Sequence, residues 1–84
     1  MEKRSGFVGI IIDDRKAHAA AVNDILTAHG NLISARMGVN ATDNCATIAL
    51  IIEATSDELG ILTGKLGNLP GVSVKSMFAK KEAN

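Results

Sequence analysis

The stretch from Leu59 to Lys75, LGILTGKLGNLPGVSVK, constrains the fold most. Leu59, Leu62, Leu66 and Leu69 recur at helical spacing, and Gly67, Asn68, Pro70 and Gly71 then make a turn. Val72 and Val74 continue in the alternation of a strand. A helix with one apolar stripe has to dock beside a sheet, and the strand that follows at once has to join that sheet. This pair sets where the earlier chain must lie.

Ser5 to Ile12 is β-branched, apolar and bounded by charge, so it reads as a central, buried strand. It is apolar in both registers, so either Phe7 and Ile11 or Val8, Ile10 and Ile12 could face away from the core. Asp13 or Asp14 caps a helix expected from Arg15 to His29, with Ala17, Ala21, Ile25 and Ala28 on one stripe, widened by Val22 and Leu26. Gly30-Asn31 ends it. Leu32 to Val39 reads as a strand, residues 40–44 as a polar hairpin turn, and Cys45 to Ala54 as the next strand. Thr55 and Glu58 have the spacing of a capping box at the start of the second helix. That helix ends near Gly67, a last strand runs from Val72 to Ala79, and residues 80–84 form a frayed polar tail.

The order β-α-β-β-α-β with right-handed crossovers closes as a ferredoxin-like α+β fold, a four-stranded antiparallel sheet with both helices on one face. Residues 1–84 are expected to form one domain, because 84 residues cannot support two cores. The other sheet face stays bare. If Ile48, Leu50 and Ile52 meet the helices, the bare face carries Thr47, Ala49 and Ile51, with Leu32, Ser34, Arg36 and Gly38 from the second strand. The last strand adds Ser73, Lys75 and Met77. Such a patch predicts a homo-oligomer, dimer or tetramer, with Thr47, Ala49, Ile51 and Met77 in the interface.

Nine basic and nine acidic side chains cancel, and there is no Trp or Tyr. This argues against direct nucleic-acid binding, which needs a basic face or stacking platform. The N-terminal apolar run is too short for a membrane span, and the lone Cys45 fits a reducing, cytoplasmic setting. His18 and His29 lie about 16 Å apart along a helix, too far to share a metal within one chain. Cys45 has no local cation to activate its thiol. Two isolated histidines and a cysteine make no nucleophile–base constellation, so no enzyme and no cofactor are expected. Gly60 and Gly64 each cost roughly 1 kcal/mol in a helix interior. Close packing against the first helix or another subunit is the expected reason, and a ligand niche the alternative.

Leu62-Thr63-Gly64-Lys65-Leu66-Gly67, followed by Leu69, Gly71-Val72 and Val74-Lys75, resembles the C-terminal signature of a small bacterial family of proposed regulators of the iron-only hydrogenase system. Arg36-Met37-Gly38 and the strand from Ala46 agree with that family. The resemblance implies an ACT-like regulatory domain, non-enzymatic, that self-associates and takes a small effector between subunits. Effector contacts are then expected from Asp13 and Asp14, from Arg36 and Gly38, and from Gly64 and Lys65. The chain is also similar to the C-terminal domain of nickel-responsive repressors, whose metal cysteine follows Asp-Asn, as in Asp43-Asn44-Cys45. The matching His-x-His positions hold Met37 and Val39, which do not suit nickel. A metal sensor using Cys45 with interfacial His18 or His29 is the alternative to effector binding, and a purely structural assembly module the third reading.

Overall fold

The computed structural model describes residues 2–40 and 43–80. Residues 81–84 of the expected tail, and 41 and 42 of the expected turn, lie outside them. The elements are β1 (Arg4–Ile12), α1 (Arg15–Ala28), a 3-10 turn (Gly30–Leu32), β2 (Ile33–Asn40), β3 (Ala46–Ala54), α2 (Ser56–Gly67) and β4 (Val72–Phe78). The strands form one antiparallel sheet in the order β2-β3-β1-β4. This is the ferredoxin-like βαββαβ arrangement, with apolar β1 and β3 in the middle.

Val8, Ile10 and Ile12 of β1 and Ile48, Leu50 and Ile52 of β3 are buried with Val22 and Leu26 of α1 and Leu59, Leu62 and Leu66 of α2. Phe7 and Ile11 therefore face the other way, which resolves the open register of β1. The leucine stripe of α2 behaves as its spacing predicts. On α1 the buried stripe is Val22 and Leu26 with Ile25 packed beside them, while Ala17 and Ala28 stay exposed. The branched side chains remove more apolar area from water than alanine methyls, so they decide which face turns inward.

β2 departs from expectation. Ile33 pairs with Ile52, but Ala35 pairs with Ile51, so Ser34 is an extra residue in the ladder. A bulge of this kind reverses the side-chain alternation downstream. Ala35, Met37 and Val39 consequently lie on the bare face, and Arg36 and Gly38 on the helix side beside Leu50 and Ile48. Leu32 is not on the bare face either: it is buried in the 3-10 turn. The side assigned to Leu32, Arg36 and Gly38 from simple alternation is thus corrected.

At the start of α2, the Glu58 backbone N–H donates to Thr55 Oγ1 at 3.2 Å, and the Thr55 N–H donates to Glu58 Oε1 at 2.8 Å. The predicted capping box is present. Thr55→Ala is expected to lose about 1–2 kcal/mol in chemical denaturation. The Thr55 backbone donor, followed by Lys3 at 3.2 Å, holds the Glu58 carboxyl below its ordinary value. Its contribution is therefore complete above the ordinary carboxylate range and is lost as pH falls through the lowered value. The stability gap between wild type and Glu58→Gln should close in acid; a gap independent of pH would contradict this.

Candidate functional site

Rows of paired residues build the bare face. Ala35, Ile51, Phe7 and Met77 cross the sheet as one row, and Val39, Thr47, Ile11 and Ser73 as another. Between them runs Met37, Ala49, Gly9 and Lys75, with small residues at its centre. A Cβ on Gly9 would meet Phe7 Cε2 at 3.4 Å, so the Phe7 ring lies across that glycine. Six large apolar side chains stand exposed here: Phe7, Ile11, Met37, Val39, Ile51 and Met77, the two methionines at 66% and 67%. Two hollows of about 270 and 240 Å³ share Phe7 and Ile51. Thr47, Ala49, Ile51 and Met77 all lie on this face. Ala35, Met37 and Val39 were missed because the bulge at Ser34 has no sequence signature.

A second concavity, about 200 Å³, lies between α1 and the edge strand β2. Arg36 and Gly38 line it from β2 and Asn23 from α1, over a floor that includes Ile12 and Ile48. Arg36 Nη2 donates to Asn23 Oδ1. Asn23 and Asn40 were not anticipated, because only the fold brings α1 and the end of β2 to one groove.

The other effector candidates are engaged elsewhere. Asp14 caps α1, its Oδ1 accepting from Ala17 N at 3.2 Å and Asn44 Nδ2 at 2.7 Å. The Asp13 N–H donates to the Gly71 carbonyl at 2.8 Å, and Cys45 Sγ–H donates to the Asp13 carbonyl at 3.4 Å. Lys65 Nζ lies 3.3 Å from His29 Nε2. The six candidates therefore fall into three places rather than one site. Gly60 and Gly64 have open space where a Cβ would stand, so packing against α1 does not account for them.

Cys45, His18 and His29 are not brought together either, and among the described residues no three His, Cys, Asp or Glu side chains could hold a metal. His18 instead packs under Gly71, where a Cβ would meet its Cδ2 at 2.8 Å. Gly71 also has a φ of 71°, which side-chain-bearing residues seldom adopt. Gly71→Ala is expected to destabilise by about 1–3 kcal/mol, read as a lower denaturation midpoint. Among the described residues no helix is long and apolar enough to cross a membrane.

Residues 4–76 match the TM1266-like family, described as a proposed regulator of the iron-only hydrogenase system. The structure of the uncharacterized protein TM1266 from Thermotoga maritima is 35% identical, with a TM-score of 0.90, covering 94% of this chain and 100% of that one. A protein of unknown function from Galdieria sulphuraria shares the fold at 15% identity and a TM-score of 0.64, over 98% of this chain and 48% of its own. The fold is also similar to CPII, a nitrogen regulatory PII-like protein from Thiomonas intermedia K12 bound to ADP, AMP and bicarbonate. That likeness has 18% identity and a TM-score of 0.51, covering 95% of this chain and 96% of that one. No curated protein matches the sequence.

Proposed function

Because the chain belongs to the TM1266-like family, described as proposed regulators of the iron-only hydrogenase system, we propose that it is a non-enzymatic regulatory module that works as a homo-oligomer. The bare sheet face carries this reading. Six exposed large apolar side chains on one surface exceed the scattered exposure of an ordinary monomer. A second copy related by a two-fold axis can pack its Phe7–Ile51 ridge against the same ridge of the first. The sheet edge at β2 is the poorer contact, since the bulge at Ser34 interrupts its ladder.

Regulation then requires a small effector. Arg36 and Gly38 share a groove in one chain, whereas Asp13, Asp14, Gly64 and Lys65 would join a site only across a subunit contact. The fold shared with the PII-like protein makes nucleotides and bicarbonate sensible first probes.

Self-association makes stability depend on concentration, because the folded assembly gains free energy that the separated chains lack. The melting temperature should rise over a hundredfold increase in protein concentration. A melting temperature that stays constant would contradict the oligomer.

A further inference from the structure

We propose that the groove between α1 and β2 binds a small organic acid, its carboxylate on Arg36 and its short carbon chain along Ala19 and Gly38. The inference rests on the reading of the chain as an effector-responsive regulator and places the effector within one chain instead of between subunits. The guanidinium of Arg36 offers five N–H donors in a planar fork. Among the described residues it makes one side-chain hydrogen bond, to neutral Asn23, and forms no ion pair with a carboxylate. It is an anion-pairing group held beside a concavity by an amide on α1.

The groove fits a carboxylate with an apolar tail. Gly38 leaves the floor open, since even an added Cβ would approach only Ile48 Cγ1, at 3.9 Å. Ala19 supplies partly exposed apolar area above the buried Ile12 and Ile48, and Asn40 a second amide at the rim. A volume of about 200 Å³ suits a molecule well below the size of a nucleotide.

The test is a titration of the full chain, followed by amide resonances, with butyrate, glutarate, butyramide, inorganic phosphate and AMP. Either carboxylate is expected to shift the amides of Asn23, Gly38 and Asn40 saturably at millimolar concentration or below, and uncharged butyramide is not. Arg36→Gln should weaken carboxylate binding about tenfold or more. Gly38→Val, whose Cβ would meet only Ile48 Cγ1 at 3.9 Å and whose methyls occupy the groove, should weaken it while the remaining resonances hold their positions. Absence of saturable shifts with both acids overturns the proposal, as do shifts confined to other residues. Equal binding of phosphate or AMP overturns the carboxylate assignment. The oligomer is read separately: wild type and Arg36→Gln are weighed in solution, so an empty groove in an intact oligomer refutes this site alone. A monomer that binds the acid refutes the assembly alone.

Discussion

Leu62→Ala is expected to lower stability by about 2–5 kcal/mol. Leu62 is 0% exposed and sits at the middle of the α2 stripe, between Leu59 and Leu66 and above the buried residues of β1 and β3. Truncation removes its transfer free energy and leaves a cavity that packed neighbours cannot close. A domain of this size has roughly 4–13 kcal/mol in total, so the loss is a large share of it. Because 1 kcal/mol moves the melting temperature of a small domain by about 4–8 °C, the melt should fall by about 10 °C or more. Ile61, the preceding residue, is 54% exposed. Ile61→Ala should stay within about 0.5 kcal/mol, measured at the same protein concentration. Equal effects at the two positions would mean that α2 is rotated on the sheet.

Ile51→Lys is expected to weaken self-association by about thirtyfold or more, the effect of losing a central contact worth about 2 kcal/mol. Ile51 pairs with Phe7 on one side and Ala35 on the other, and it borders both hollows of the bare face. A lysine there brings an ammonium into a surface that association would dry, with its two-fold copy facing it. The fold should survive, since Ile51 is already about half exposed in the single chain. Sedimentation equilibrium measures the change. Ile61→Lys, on the outer side of α2, is the matched control and should leave association unaltered. If Ile61→Lys dissociates the protein and Ile51→Lys does not, the interface lies on the helices.

The element order was readable because each element has its own period: leucines at helical spacing in α2, alternation in β3 and the Thr55–Glu58 box between them. Which way β1 turned was not readable, because Phe7 and Ile11 are as apolar as Val8, Ile10 and Ile12. Only the alternating burial of its partner β3, carried across the ladder, decides it. β2 was misread for a different reason. Ser34 inserts one residue into the ladder, and nothing about a serine between isoleucine and alanine announces that. The error moved Arg36 and Gly38 from the bare face to the groove, where the two share a concavity. Asn23 and Asn40 lie seventeen positions apart in sequence, so their meeting is a property of the fold rather than of any local pattern. Thr47, Ala49, Ile51 and Met77 were placed on the correct face because β3 and β4 pair without interruption.

Gly60 and Gly64 keep α2 weaker than its leucine stripe requires, and none of the described residues stands where their side chains would be. The exposed apolar sheet face poses the same question on the other side of the molecule. The sheet face makes sense if it meets a second copy, and that contact does not reach the glycines of α2.

The most direct measurement is the mass of the wild-type chain in solution by multi-angle light scattering at micromolar concentration. The chain has a mass of 8.8 kDa, and a dimer or tetramer is expected, with Ile51→Lys shifted toward the single chain. A wild-type mass equal to that of one chain across the whole concentration range would contradict it.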